Sequence, residues 1–190
     1  VHPLFYVAAL LSAFAFTAVL SRFVSIPSAA GRTPTIDGLR GYLAFSVFIH
    51  HAVIWYYFLR NEIWQEPPTA LYTQLGQSSV ALFFMITSYL FFGKILSSAE
   101  KPLDWVQLYV SRLCRITPLY VVVVCILFVL AGHMTGWTLS EDPLKVVKQA
   151  LHWLFFTTFD APDLNGLKGS MRIVAGVTWS LPYEWFFYLC

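Results

Sequence analysis

Apolar residues gather into long runs along the chain, and short polar segments separate these runs. About 20 residues are needed to cross the hydrocarbon core of a bilayer, so the shorter runs must borrow flanking residues or tilt. The pattern predicts an all-α, polytopic transmembrane helical bundle with about five membrane helices and the start of a sixth. The five complete runs are Pro3–Leu20, Gly41–Leu59, Val80–Leu96, Ile116–Gly132 and Val146–Phe159, and the sixth begins near Val177.

The composition agrees with a membrane protein. Of 190 residues, 58% are hydrophobic and 18% aromatic, and only 12% are charged, against about 25% in an ordinary soluble domain. The net charge of +2 is small and no basic cluster alternates with aromatic residues, so no nucleic-acid partner is expected. Cys114, Cys125 and Cys190 are far apart and no His, Asp or Glu cluster has metal-ligand spacing, so neither a metal site nor a disulfide framework is expected.

The first run allows two interpretations. Pro3–Leu20 could be a membrane helix, or a signal peptide that ends at the small residues Ser28–Ala30. Its early part lacks the Lys or Arg of signal peptides, which favours the membrane helix. Residues 1–35 are therefore predicted to form an extra N-terminal membrane helix and a cytoplasmic linker. Because the chain opens with Val1 and stops at Cys190 inside an apolar run, we expect it to be part of a longer protein.

Basic residues in the connections predict the orientation in the membrane. If the linker Ser21–Arg40 is cytoplasmic, alternate connections place nine Lys and Arg residues inside and three outside. Those inside are Arg22, Arg32, Arg40, Lys94, Lys101, Arg112, Arg115, Lys168 and Arg172, and those outside are Arg60, Lys145 and Lys148. This bias puts Arg40 at the cytoplasmic face and the aromatic residues Trp55–Tyr57 at the opposite interface.

The stretch IDGLRGYLAFSVFIHH, from Ile36 to His51, combines charged and apolar residues in an unusual way. Asp37 is predicted to be the N-cap of a helix, because its side chain can accept a backbone N–H. Arg40 then falls in the first turn, where a cation opposes the helix dipole. Anchoring at the cytoplasmic face would explain it, and so would an anion held jointly by Arg40 and the helix N-terminus.

Arg40 and a histidine lie on one face of this helix. His51 follows Arg40 by eleven residues, which is about 16 Å along the axis and within about 20° of three full turns. His50 is about 80° away from that face. An ionisable side chain at mid-bilayer depth faces the protein interior by default. From the residues alone, His51 is either a functional group or a neutral histidine that is bonded to a neighbouring helix.

Four different segments follow one another along the chain in an order that is characteristic of one family. The first is DGLRG with the R-x10-H relation of Arg40 and His51. The other three are SSVALFFMITSYLF at Ser78–Phe91, SRLCRITPLY at Ser111–Tyr120 and WSLPYEWFFYL at Trp179–Leu189. Together they resemble the acyltransferase-3 family of integral-membrane O-acyltransferases.

The resemblance covers residues 36–190 and departs from the family pattern at a few packing positions. Ala81 and Ser88 replace a usual aspartate and glycine, and Pro182 and Tyr183 replace small residues before Glu184. Family members have roughly twice as many membrane helices as this chain. The resemblance therefore implies that residues 36–190 are the N-terminal part of a truncated acyltransferase-3 membrane domain.

The resemblance also implies a reaction. An acyl group, usually acetyl, would move from cytoplasmic acyl-CoA to a hydroxyl of a cell-envelope carbohydrate or glycolipid. Acyl-CoA would be a co-substrate, and no tightly bound cofactor is expected. The partners would be acyl-CoA, the envelope acceptor and the lipid bilayer, and the location would be the inner (cytoplasmic) membrane of a bacterium, as a multi-pass protein.

The matched motifs suggest residues for this chemistry. His51 would act as a general base, or alternatively would form a covalent acyl-histidine. Arg40, Arg112 and Arg115 would bind the acyl donor, because guanidinium groups suit phosphate recognition. Plain positive-inside anchoring is the alternative for the Arg112–Arg115 pair. Asp37, His50 and Glu184 are candidate supporting residues, and Glu184 could orient a histidine, bind the acceptor or pair with a basic residue.

Two other functions are compatible with the sequence. Intramembrane His and Arg are also used by transporters of small polar or acyl compounds, although no internal repeat of the transporter kind is visible. The chain could also be a truncated, inactive remnant. Transport without any acylated product would favour the first alternative, and a stop codon directly after Cys190 would favour the second.

Overall fold

The computed structural model describes residues 1–24, 33–97 and 104–189, and these ranges are helical without any β-strand. The predicted all-α class is confirmed. The helices are α1 (Leu4–Leu20), α2 (Pro34–Asn61), α3 (Ala70–Ser97), α4 (Trp105–Met134), α5 (Pro143–Leu154), α6 (Ser170–Ile173), a 3-10 turn (Val177–Trp179) and α7 (Ser180–Leu189). Helix α7 corresponds to the predicted start of a sixth apolar segment.

Three helices have the length and apolar composition of membrane spans. Helices α2, α3 and α4 contain 28, 28 and 30 residues, or about 42–45 Å, which exceeds the ~30 Å hydrocarbon core. Large apolar side chains such as Phe48, Met85 and Leu119 point outward and are exposed, as expected for surfaces that face lipid. Helix α1 is apolar and shorter, with 17 residues. These features confirm the predicted membrane helical bundle.

The chain divides into two compact units, Val1–Ser97 and Ser98–Cys190. In the first unit, α2 and α3 pack antiparallel, because Arg40 contacts Phe83 while His50, further along α2, contacts Tyr72 at the start of α3. Helix α1 joins them through its one buried side chain, Tyr6. The core of this unit consists of Tyr6, Ile49, Val53 and Tyr72.

The core of the second unit forms along one stripe of α4. Its buried residues Tyr120, Val124, Leu127 and Ala131 recur at helical spacing and therefore share a face. Trp153 of α5 and Leu164 of the following loop cover this stripe. The second unit is therefore a long helix with a short helix and a loop packed on its C-terminal half.

Helix α5 is too short to cross a membrane. It contains 12 residues, or about 18 Å of helix. Its start is fixed by Asp142, whose side chain accepts the N–H groups of Leu144 and Lys145, and by proline at the first helical position. The predicted fifth membrane helix, Val146–Phe159, is therefore wrong in that form.

The segment that contains α5 starts and finishes at the same end of α4. We call residues 143–165 the re-entrant segment. Its last residue, Asn165, is held at the C-terminal end of α4. The Asn165 side chain accepts the Ser140 N–H at 2.8 Å and donates to the Thr138 carbonyl at 2.7 Å, and its own backbone N–H donates to Gln149 at 2.9 Å. The chain thus returns to its starting level instead of continuing across.

A second group of polar contacts closes the base of the re-entrant segment. Glu141 accepts hydrogen bonds from Lys145 and Gln149, each at 2.6 Å. The hydrogen bond from Lys145 lowers the pKa of the Glu141 carboxyl below its ordinary value. Gln149 thereby links the charged pair to Asn165, so the two ends of the segment are tied to one network.

The tip of the re-entrant segment reaches well down α4. The Tyr120 hydroxyl donates to the Trp153 carbonyl, and the Tyr120 ring stacks on Phe156 with a centroid distance of 4.6 Å. Tyr120 precedes Met134, the last residue of α4, by 14 residues, or about 21 Å. The tip therefore lies far along α4 from the base of the segment.

The return of the chain changes the predicted side of two basic residues. Lys168 and Arg172 follow Asn165 closely, and Asn165 is held at the end of α4, so we now expect both on the side where α4 ends and not with the cytoplasmic arginines. The physical reason is that the alternation assumed a crossing that α5 does not make. With both residues moved, the predicted bias falls from nine against three to seven against five.

Cysteine labelling tests this topology. In a background where Cys114, Cys125 and Cys190 are replaced by alanine, Leu139→Cys and Lys168→Cys are expected to react with a membrane-impermeant maleimide from the same side. Both side chains are exposed, so access is not limited by burial. The measurement is the extent of labelling in intact cells and in inverted vesicles.

Trp105→Cys, at the other end of α4, serves as the control and should react from the opposite side. Labelling of Leu139→Cys and Lys168→Cys from opposite sides would show that the re-entrant segment crosses the membrane after all.

Candidate active site

Helix α2 begins earlier than the sequence pattern predicted. Thr33 is its N-cap and Pro34 its first residue, and proline is pre-organised for that position. The predicted N-cap role of Asp37 is therefore wrong. Asp37 lies in the first turn, where its charge is favourable to the helix dipole. Arg40 is six residues after Pro34, so its backbone lies beyond the unpaired N–H groups of the helix start, and an anion shared with them stays a prediction.

The spacing of Arg40 and His51 rests on one uninterrupted helix. Helix α2 continues to Asn61, so both residues lie on the same uninterrupted helix, eleven positions apart. The Arg40 guanidinium lies over the ring of Phe83 in α3, 5.9 Å from its centroid. The face that carries Arg40 is therefore directed toward α3.

His50 is bonded to the neighbouring helix. Its Nδ1 lies 2.7 Å from the Tyr72 carbonyl oxygen. Because a carbonyl can only accept, Nδ1 carries the hydrogen and is the donor in this bond. The bond to a neighbouring helix, which the sequence analysis considered for His51, is therefore made by His50.

His51 lacks such a contact. Its buried Nδ1 has no hydrogen-bond partner among the residues that the structure describes. Its ring stands edge-to-face against that of His50, with a centroid distance of 5.1 Å. A buried polar atom without a partner costs about 1–3 kcal/mol. Such an atom needs an explanation, and a catalytic role is one of those known; Thr117, His152 and Trp185 each carry one as well.

Gly76 of α3 makes room for the His50 ring. A Cβ atom at this position would lie 2.6 Å from His50 ring atoms. We expect Gly76→Ala to force the ring away, at about 2–3 kcal/mol, which exceeds by about 1–2 kcal/mol the ~1 kcal/mol that alanine gains over glycine in a helix. The midpoint of thermal unfolding in detergent should fall by about 2–8 °C.

Gly93→Ala is the matched control, because Gly93 lies in the same helix and an added Cβ there would have nothing within 4 Å. Its unfolding midpoint should equal or exceed that of the parent. In a His50→Ala background, Gly76→Ala should lower the unfolding midpoint little below that of His50→Ala alone. Equal midpoints for Gly76→Ala and Gly93→Ala would contradict the described packing of His50.

The second unit carries the predicted arginine pair. Arg112 and Arg115 lie three residues apart in α4, so their side chains are neighbours on its surface. Arg112 is half-buried and Arg115 is exposed. Among the described residues neither arginine has a carboxylate as a salt-bridge partner. Within the described part of the chain, the pair therefore presents two cations without a salt bridge on one surface of α4.

Glu184 is bonded within its own helix. Its carboxylate accepts a hydrogen bond of 2.7 Å from the hydroxyl of Tyr188, one turn later in α7. The ring of Tyr188 lies under the Arg112 guanidinium, which is 5.4 Å from the ring centroid. Tyr188 thus links the predicted supporting residue Glu184 with the predicted donor-binding residue Arg112.

The candidate residues fall into two groups. Asp37, Arg40, His50 and His51 share α2 in the first unit, and Arg112, Arg115 and Glu184 belong to the second unit. The sequence motifs did not single out Tyr188 as a candidate residue, although its i, i+4 spacing from Glu184 was a usable signal. Within the described ranges, no three His, Cys, Asp or Glu side chains are grouped to hold a metal ion.

Comparison with protein families identifies the domain. A family model described as the acyltransferase domain of the acyltransferase-3 type matches residues 33–190. The chain belongs to the acyltransferase-3 family. No curated protein and no solved structure gave a significant match. The apolar helices and the acyltransferase-3 domain together indicate an integral-membrane protein of an acyltransferase family. The predicted domain boundary after residue 35 stays a prediction.

Proposed function

We propose that this acyltransferase-3 protein is a membrane O-acyltransferase. It moves an acyl group, with acetyl as the first choice, from cytoplasmic acyl-CoA to a hydroxyl of an envelope carbohydrate or glycolipid. Its proposed location is the inner membrane of a bacterium. Family membership supports the reaction class, and the environments of His51 and of the arginines support the assignment of base and donor site.

The observation that carries the proposal is that Arg40 and His51 lie on the same face of α2. The two residues share one face of an unbroken helix. The buried Nδ1 of His51 has no partner among the described residues, whereas His50 is tied to Tyr72. Of the two adjacent imidazoles, His51 is therefore the one whose Nδ1 remains available for chemistry.

The proposed reaction proceeds by nucleophilic attack on the thioester. His51 accepts the proton of the acceptor hydroxyl while the hydroxyl oxygen attacks the acyl carbonyl carbon. The carbon–sulfur bond then breaks and an ester forms. The CoA thiolate that leaves takes up the proton from the imidazolium. In the alternative sequence, His51 attacks first and a covalent acyl-histidine passes the group to the acceptor.

The donor is proposed to bind at the arginines. CoA is a polyanion, and loop charges predict that Arg40, Arg112 and Arg115 lie on the cytoplasmic side. Arg112 and Arg115 support this role because neither has a carboxylate partner in the described part of the chain. Planar guanidinium groups can bind phosphate through two parallel hydrogen bonds.

Mass spectrometry of envelope glycans tests the proposed function. A deletion strain is complemented with the intact gene, and the envelope carbohydrates and glycolipids are compared with those of the uncomplemented strain. The proposal expects an ester-linked acyl group whose presence depends on the gene. Identical acylation in both strains would overturn it.

A further inference from the structure

Tyr188 makes three different contacts at one place in the second unit, and it is almost fully buried, with 2% of its surface exposed. Its backbone carbonyl accepts the Tyr109 hydroxyl of α4 at 2.7 Å. Its own hydroxyl donates to Glu184 at 2.7 Å, and its ring face lies against Arg112. Helix α7 is thereby fixed to α4 at the level of the arginine pair.

The contact with the ring leaves the binding groups of Arg112 accessible. The Arg112 guanidinium carbon lies 5.4 Å from the centroid of the Tyr188 ring, which is within the range of a cation–π interaction. Such a contact holds the cation over the ring by electrostatic attraction and offers its five N–H donors no oxygen acceptor. The ring therefore restrains Arg112 without consuming the donors that would bind a phosphate.

The hydroxyl of Tyr188 acts on Glu184. A carboxylate that reaches a guanidinium can form a bidentate pair with it, and another donor that already holds the carboxylate competes with this pair. The Tyr188 hydroxyl supplies such a donor and is bonded to the Glu184 carboxylate. One tyrosine side chain thus contacts both charges and holds them in separate arrangements.

We propose that Tyr188 is a positioning residue that keeps Arg112 available for the anionic part of the acyl donor. Its ring orients the guanidinium, and its hydroxyl prevents Glu184 from neutralising it. This inference rests on the proposed function, since it takes Arg112 as a donor-binding residue. It goes further by assigning separate roles to the ring and the hydroxyl of one tyrosine.

Equilibrium binding of free CoA to the purified full-length protein separates these two roles. Tyr188→Phe removes the hydroxyl and keeps the ring, so Glu184 is released toward Arg112. The Kd for CoA should rise by about three- to tenfold. Adding Glu184→Gln removes the competing charge and should restore the Kd to within about twofold of the parent.

Tyr188→Leu removes the ring as well and supplies the second arm of the test. Its Kd for CoA should rise further than that of Tyr188→Phe, by about three- to thirtyfold in addition, and Glu184→Gln should recover only the part that the lost hydroxyl causes. Thermal unfolding of each variant is measured in parallel. A purely structural role of Tyr188 would lower the unfolding midpoint of both variants, and Glu184→Gln would not rescue CoA binding in the phenylalanine variant.

The outcomes distinguish this inference from the proposed function. If the parent binds CoA and Tyr188→Phe binds it equally tightly, the positioning role is wrong while the donor assignment stands. The same conclusion follows if Glu184→Gln fails to rescue Tyr188→Phe. If the parent itself does not bind CoA, the donor assignment fails and the role of Tyr188 fails with it.

Discussion

His51→Ala is expected to lower the rate of acyl transfer by about 10²–10⁴-fold, which is the usual contribution of a positioned general base. The alanine side chain can neither accept the proton of the acceptor hydroxyl nor carry the acyl group. Because His51 is partly buried within α2 and its Nδ1 bonds to no described neighbour, its removal should leave the fold intact. The measurement is kcat with labelled acetyl-CoA and the acceptor.

Two variants control this prediction. His51→Gln keeps much of the size and hydrogen bonding of the side chain but cannot act as a base, so it should be nearly as inactive as His51→Ala. His133→Ala changes an exposed histidine at the far end of α4 and should retain the parental rate. Substantial activity in either His51 variant would remove this residue from the mechanism.

Arg112→Ala is expected to raise the KM for acyl-CoA by about 10–100-fold, because a charge-assisted hydrogen bond to a phosphate contributes about 1.5–3 kcal/mol. Loss of donor binding should change kcat much less than KM. Arg115→Ala should act in the same direction. Raising the salt concentration should reduce the difference between the parent and the variants, since screening weakens exposed charge interactions.

Arg60→Ala is the matched control for the arginine pair. Arg60 also lies over a tyrosine ring, with its guanidinium 4.2 Å from the Tyr56 ring centroid, but it lies in the last turn of α2. Its KM for acyl-CoA should equal that of the parent. A similar rise in KM for Arg60→Ala and Arg112→Ala would indicate a nonspecific effect of positive charge and not a donor site.

The membrane helices were predictable because their information is local. Apolar runs such as Gly41–Leu59 and Ile116–Gly132 fall inside α2 and α4, since burial in lipid requires a continuous apolar surface. The path of Val146–Phe159 does not depend on local sequence alone. This run contains Lys148, and its path is decided by hydrogen bonds between Asn165 and Thr138 or Ser140. No short-range pattern reveals such contacts.

The candidate site shows the same division. The common face of Arg40 and His51 follows from helical periodicity and was predictable once the helix was assumed. The tie between His50 and Tyr72, with Gly76 making room for the ring, depends on the register of α2 against α3. The contact of Arg112 with Tyr188 depends in the same way on the packing of α4 and α7. Tertiary register cannot be read from one sequence.

Transfer of an acyl group from cytoplasmic acyl-CoA to an acceptor hydroxyl is the central claim. The most direct measurement supplies acyl-labelled acetyl-CoA to only one face of sealed, oriented vesicles and follows the label. We predict label in ester linkage to a glycan or glycolipid when acetyl-CoA is on the face that bears Arg112, and none with His51→Ala. Label that crosses the membrane without forming an ester, or ester formation that His51→Ala does not reduce, would contradict the claim.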